Sequence, residues 1–411
     1  MKTISRVTYI AVAAFAIVAM AACGSKGKAP EKKKDIKVDT ALQSRLQKFV
    51  DKPRPQGDFG LYVYDLTAGK PVIDVAGHHS QPSASSIKLL TGTAALNQLG
   101  NDFQYHSGML TNARIQGDTL RGDISFKGDL DPQLQAFDIE RMAKEFRNRG
   151  VKAFTGKLYV DLLLHEPITA EEHWFPGDLA FSKYGILYRG PETVVKALKQ
   201  AFRKYGIKFD DKQVTMAPTP KGFHYIFRLN RHLDMVLQRM WNFSANTQAT
   251  SLLITMGHRS NPKATTIGDM EAAGIGVMKA FMDKQLKPDG DTIVIHDGCG
   301  LCHYNSITPY YLCKILRYGY NRKPIYDMLM KCMSVSGYAG TLLHMPKSIK
   351  GRIHGKTGTL SHPFGISSLT GFCRGTDGHV LCYALMDSNM SVLDARVLQK
   401  ELCLALLNAK E

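Results

Sequence analysis

The stretch QPSASSIKLLTGTAALNQLG, residues 81–100, limits what this chain can fold into more than any other. Counted from Ile87, apolar residues recur at Leu90, Ala94, Ala95 and Leu99, the spacing of one helical face, and Gly100 supplies a stop. The remaining faces are small or apolar as well, so the spacing predicts a helix enclosed on every side by other elements. Yet this helix opens on a lysine, Lys88, preceded by three serines, Ser83, Ser85 and Ser86. A charged amine at the mouth of a buried helix needs a chemical reason.

Around this segment the pattern divides. FGLYVYDLTAGKPVIDVAG reads as a hairpin, with strands near Leu61–Asp65 and Val72–Val75 and a turn at Thr67–Lys70. Residues 101–230 carry Gly- and Asp-rich strand-and-turn material (GDTLRGDISFKGDLDP, TGKLYVD) and two amphipathic patterns, DIERMAKEFRNRG and PETVVKALKQAFRKYG, each ended by glycine. From Leu233 the spacing Leu233, Val236, Leu237, Met240 resumes a helix that ends in WNFSANTQ. The C-terminal part holds the strands IHGKTGTL, GISSLTGFC and HVLCYALMD and closes on the helix SVLDARVLQKELCLALLN. The expected class is α+β: a sheet with helices on its faces (46–100 and 231–411), interrupted by a smaller α+β module at 101–230.

A serine hydroxyl becomes a nucleophile only when a base takes its proton. On a helix, a lysine three residues on lies one turn away on the same face. Only Ser85 stands at that distance from Lys88; Ser83 and Ser86 point elsewhere. In the first helical turn the Ser85 N–H has no helical partner and can face a developing oxyanion. Two further motifs follow in order: Ser244-Ala245-Asn246 after the second helix, and Lys356-Thr357-Gly358-Thr359 on a strand.

S-x-x-K, S-x-N and K-T-G in this order resemble the signature of active-site-serine penicillin-binding proteins and serine β-lactamases. PSASSIKLLTGTAAL is similar to the nucleophile helix of the low-molecular-mass class C D-Ala-D-Ala carboxypeptidases, and GTLLHMPKSIKGRIHGKTGTL with GISSLTGF to their K-T-G region. HDGCGLCHYNSITP resembles their D-G-S-G-L-S-(R)-x-N segment, with Cys299 and Cys302 where serines are usual, and GDTLRGDISFKGDLDP the start of their extra module. The likeness covers most of residues 45–411, although the insert, about 158 residues between Ser85 and Ser244, is shorter than the group's.

The resemblance implies a β-lactamase/transpeptidase-like domain, an antiparallel sheet flanked by helices with a helical subdomain. It also implies a penicillin-sensitive DD-peptidase acting on peptidoglycan stem peptides, with β-lactams as inhibitors. Ser85 would attack the penultimate D-Ala carbonyl and Lys88, neutralised by burial and by nearby Lys356, would be the base. Ser244 would relay the proton, and Asn246 would hold the substrate amide and orient Lys88. Lys356, Thr357, Gly358 and Thr359 would bind the terminal carboxylate, the Ser85 and Thr359 N–H groups forming the oxyanion hole. No cofactor or metal is required. Asp297 and Asn305 read as loop structure without a chemical role. Two rivals share the motifs: a β-lactamase or esterase on the same fold, for which no deacylating glutamate follows S-x-N, and a non-catalytic cell-wall-binding scaffold.

Lys2 and Arg6 precede the apolar run Ile10–Ala22, the layout of an export signal (1–22). The MAAC junction resembles a bacterial lipobox, which makes Cys23 the expected lipid-bearing residue and 23–45 a lysine-rich tether. Lipid attachment to a membrane of the cell envelope, on the periplasmic side, follows from it; the oligomeric state does not. The net charge of +17 raises nucleic acid as a partner, but no aromatic-interleaved basic groove stands out and export argues against it. Beyond Cys23 the seven remaining cysteines leave at least one free thiol, and the lone C-x-x-C at Cys299 and Cys302 lacks the second pair of a structural zinc site. Adjacent His78 and His79 read as a surface pair, Trp174 and Trp241 as core.

Overall fold

The computed structural model of the chain describes residues 36–411 apart from positions 55 and 288. The export signal at 1–22, Cys23 and the lysines at 32–34 lie outside the described residues. Folded chain begins earlier than the expected tether boundary of 45. A helix spans Thr40–Val50, its N-terminus capped by Asp39, whose carboxylate accepts the Ala41 N–H at 2.8 Å. Leu42, Leu46 and Phe49 bury one stripe of it beside the C-terminal helix Val392–Leu407, while its other faces are polar and read as tether.

Six antiparallel strands form the main sheet, in the order Ser334–Val335, Ile353–Leu360, Ile366–Arg374, Val380–Ser388, Asp58–Asp65 and Lys70–Val75. Leu61 lies opposite Leu385, so the first and last strands in the chain pair at the sheet's middle. Strand alternation sorts the side chains. Leu381, Tyr383 and Leu385 face the core under the two terminal helices, whereas Cys382, Ala384 and Met386 face the core around the buried helix. Both faces are covered, which is why HVLCYALMD reads as nearly continuous apolar chain.

The helix predicted to be enclosed runs Lys88–Leu99, with nine of its twelve residues buried. A short 3-10 turn, Ala84–Ile87, leads into it. It packs against the helices Leu233–Asn242, Asn246–Ser260 and Pro309–Tyr320. Asn246–Ser260 left no periodic signal because Thr247 through Gly257 are all buried, polar and apolar alike.

The residues between Leu99 and Leu233 build a second, five-stranded sheet in the order Val214–Met216, Leu158–Asp161, Ile124–Lys127, Gln104–Thr111, His224–His232. The helices Ala136–Asn148 and Pro191–Lys204 bury the stripes Ile139, Met142, Phe146 and Val194, Leu198, Phe202 in its core. Val236, Ile254 and Met270, from helices beyond the insert, pack into the same core.

Gly92 shows how tightly the central helix is seated. A methyl group on it would lie 2.3 Å from the Trp241 ring, which is itself fully buried and donates its Nε1–H to the Lys88 carbonyl at 2.8 Å. Gly92→Ala is therefore expected to destabilise by about 1–3 kcal/mol, read as a lowered midpoint in chemical denaturation.

Candidate active site

The chain enters the central helix through a strained residue: Ala84 holds φ at 40°, a region side chains other than glycine's rarely occupy. This turn brings Ser85 half out of the core and leaves Lys88 fully buried one turn later. Lys88 Nζ donates to Ser85 Oγ at 2.8 Å, to Asn246 Oδ1 at 2.7 Å and to the Cys299 carbonyl. The neighbouring serines turn away, Ser83 Oγ donating to the Ala84 carbonyl and Ser86 Oγ meeting Ser368 Oγ.

A second strained residue lies across the cleft. Ser244, at φ 59°, follows the end of the helix Leu233–Asn242, and Asn246, two residues on, opens the helix Asn246–Ser260. This reversal points Asn246 at Lys88 and Ser244 at the K-T-G strand. Lys356 on that strand is also fully buried and donates to Ser244 Oγ at 2.8 Å and to the Thr357 carbonyl. Gly358 is required by proximity: a methyl group there would sit 2.3 Å from Ser368 Oγ and 3.0 Å from the Ser83 carbonyl. Past Gly355 the strand Ile353–Leu360 pairs only with Ile366–Arg374 among the described residues, so its outer edge is open beside Ser85. Ser85, Ser244, Thr357 and Thr359 line a cleft of about 640 Å³, together with the exposed Arg396 and half-buried Lys400.

Two buried amines in one site cannot both carry charge cheaply. Burial lowers the Lys88 ammonium to about 8, with Cys299 and Asp297 opposing the shift. Burial also pulls Lys356 well below the ordinary lysine value, and the Lys88 charge adds to it. The repulsion expected from sequence therefore falls on Lys356, while burial governs Lys88.

The contact that sequence reasoning missed is the Cys299 carbonyl on Lys88. Its position comes from Asp297, whose buried carboxylate accepts five N–H groups: Cys299, Gly300 and Cys302 of the backbone, Asn305 Nδ2 and Trp174 Nε1. Asn305 Oδ1 in turn accepts the His296 and Asp297 N–H groups. Thr91 on the central helix ties in the same loop by donating to the Gly298 carbonyl at 2.7 Å. Asp297 and Asn305 thus hold the loop that holds Lys88, and the signal was the pair's spacing in D-G-x-G-x-x-x-x-N. All seven described cysteines are free thiols. Burial pushes the Cys302 thiol up to about 12 and the Cys299 thiol well above its ordinary value, so neither is a nucleophile near neutral pH. His78 and His79 are exposed, His78 pairing with Asp291 at 2.9 Å, and Trp174 and Trp241 are core.

An antiparallel sheet backed by helices, with three such motifs converging on one cleft, defines the class of serine-acylating penicillin-binding proteins. The match to a known family is direct: over residues 42–185 and 188–408 the chain belongs to the D-Ala-D-Ala carboxypeptidase 3 (S13) family, and it is a serine-type carboxypeptidase. It is 20% identical over 431 residues to the D-alanyl-D-alanine carboxypeptidase DacB of Haemophilus influenzae, covering 83% of this chain and 87% of that one. A 28% identical stretch of 186 residues, 44% of this chain and 32% of the relative, matches the D-alanyl-D-alanine carboxypeptidase of an Actinomadura species. In fold it is similar to penicillin binding protein 4 of H. influenzae (TM-score 0.69, 19% identity, 88% and 97% of the two chains). It is also similar to a predatory endopeptidase of Bdellovibrio bacteriovorus (TM-score 0.62, 18% identity, 86% and 94%).

Because Asp297 satisfies five donors at once, Asp297→Ala is expected to cost about 3 kcal/mol or more. A lowered denaturation midpoint, together with slower acylation of Ser85, is the outcome to look for.

Proposed function

We propose that Ser85 is the nucleophile of a penicillin-sensitive carboxypeptidase/endopeptidase that hydrolyses peptidoglycan stem peptides ending in D-Ala-D-Ala. The observation that carries this reading is the 2.8 Å contact between a fully buried amine, Lys88 Nζ, and a half-exposed hydroxyl, Ser85 Oγ, on the floor of an open cleft. Neutral Lys88 takes the proton as Oγ attacks the penultimate D-Ala carbonyl. The oxyanion is met by the N–H groups of Ser85 and Thr359. Collapse expels terminal D-Ala, or a longer D-configured fragment, with Ser244 passing the proton to the leaving amine. Water then cleaves the ester on Ser85, its proton returning through the same base.

Substrate recognition follows from the open strand edge. An extended stem peptide adds beside Lys356–Leu360, with Thr357 and Thr359 donating hydroxyl hydrogen bonds and Asn246 holding the substrate amide. The terminal carboxylate comes to Lys356. In the free site burial and the Lys88 charge disfavour protonated Lys356; a carboxylate beside it reverses that preference. A charged Lys356 then keeps Lys88 neutral, so binding prepares the base.

The substrate belongs to the cell wall, and the location is the cell envelope. The finer reading is a periplasmic lipoprotein anchored through Cys23, supported by the basic-then-apolar leader and the MAAC junction. Among the described residues no helix is long and apolar enough to cross a membrane.

Intact mass after incubation with benzylpenicillin tests the nucleophile. Wild type is expected to gain one adduct, and Ser85→Ala none; an adduct that persists in Ser85→Ala overturns the assignment. Lys88→Ala is expected to slow acylation by about 10²–10⁴-fold, with its circular dichroism checked against wild type. The base is the neutral amine, so protonation below its pKa abolishes reactivity. Acylation by benzylpenicillin should therefore rise with pH, flattening above about 8; a rate independent of pH between 6 and 9, on the order of the whole titration range, would remove Lys88 from that role.

A further inference from the structure

Two segments that the peptidase chemistry does not use bring four metal-binding side chains to one place. Glu171 and His173 belong to the run Glu171-Glu172-His173-Trp174 of the insert; His296 and Cys302 flank the loop organised by Asp297. A carboxylate oxygen, one nitrogen from each imidazole and the Cys302 sulfur all lie within 4.8 Å of one another. His173 Nδ1 is 2.5 Å and His296 Nδ1 4.0 Å from the same oxygen, Glu171 Oε1. The two imidazoles cross at 5.2 Å with their planes at 67°.

The support behind these ligands is built. Asp297 accepts the Trp174 Nε1–H next to His173 and the Cys302 backbone N–H, both at 2.8 Å, so one carboxylate fixes both ligand-bearing segments. Glu171 and the two histidines are half-buried and reachable from solvent, while Cys302 forms the closed inner side. The second acidic and histidine cluster among the described residues, Asp65, Asp377 and His379, is accounted for differently: Asp65 caps the hairpin turn through the Thr67 and Ala68 N–H groups and accepts from His379, and no soft ligand is present.

We propose that Glu171, His173, His296 and Cys302 form a binding site for one zinc-class divalent transition ion. One thiolate, two imidazoles and one carboxylate are a tetrahedral set that favours zinc or cobalt over magnesium or calcium. Bonds of about 2.0–2.3 Å require ligand atoms roughly 3.3–3.8 Å apart, so the 2.5 Å pair of Glu171 and His173 opens and the wider separations close, shifts that the half-buried Glu171 and histidines can make around the buried Cys302. Binding releases the Cys302 thiol proton to solvent and leaves the metal's oxidation state unchanged. The ion would staple the insert to the loop whose Cys299 carbonyl meets Lys88, giving the insert a structural hold on the catalytic amine.

Cobalt(II) titrated into the chelator-treated, reduced full-length protein tests this. One equivalent should give visible bands of tetrahedral intensity and a near-ultraviolet thiolate-to-cobalt band, both bleached by one equivalent of zinc. Cys302→Ser should remove the thiolate band. His173→Gln, at a half-exposed position where folding is not at stake, should weaken cobalt binding at least about tenfold, since even outer-shell changes cost that much. Asp65→Asn should leave binding intact. A wild type without the thiolate band, or cobalt binding that His173→Gln leaves unchanged, overturns the proposal.

Discussion

A fully buried ammonium has to be neutralised or surrounded by acceptors, and Lys88 organises the molecule around that demand. Three acceptors reach its Nζ: Ser85 Oγ from the same turn, Asn246 Oδ1 from the start of another helix and the Cys299 carbonyl from a loop. Each needs its own support. Ser85 is presented by a strained Ala84, Asn246 follows a strained Ser244, and Cys299 hangs on the Asp297 carboxylate. Burial that would otherwise be a cost brings the titration of the amine down to about 8, far nearer neutrality than an ordinary lysine.

The sheet and the insert serve this site at different ranges. Pairing of the strand Asp58–Asp65 with Val380–Ser388 closes the main sheet from both ends of the chain, and the K-T-G strand lies two places from that joint, held past Gly355 on one side only among the described residues. The insert keeps its own sheet, yet Trp174 reaches across to Asp297, and Val236 and Ile254 are shared with its core. The Asp297 loop therefore stands where the central helix, the insert and the cleft meet.

Where elements carried a one-sided pattern, the chain was legible: the helices at Ala136–Asn148 and Pro191–Lys204 and the hairpin at Asp58–Val75 lie where periodicity puts them, and the strands from Ile353 to Ser388 lie where short apolar runs put them. The most thoroughly enclosed helix carried none. Asn246–Ser260 mixes Thr, Gln and Ser with Leu and Ile because Thr247 through Gly257 are all interior. Ile267–Phe281, by contrast, buries a regular stripe of Ile267, Met270, Gly274, Met278 and Phe281 that was not read, its glycines and alanines diluting the apolar pattern. The first turn of folded chain at Thr40 was also missed, since a single narrow apolar stripe in a lysine-rich stretch resembles a tether.

By itself the sequence determined the chemistry's ingredients: an enclosed helix bearing Ser85 and Lys88 at one-turn spacing, and the ordered motifs at Ser244–Asn246 and Lys356–Thr359. Those are local facts, set by helical and strand geometry within a few residues. Only the tertiary structure decided which acceptors meet the buried amine, on which of two lysines their repulsion falls, and that Asp297 joins the loop, the insert and Lys88. Burial and the contacts between remote segments depend on how elements pack, and no spacing along the chain encodes them.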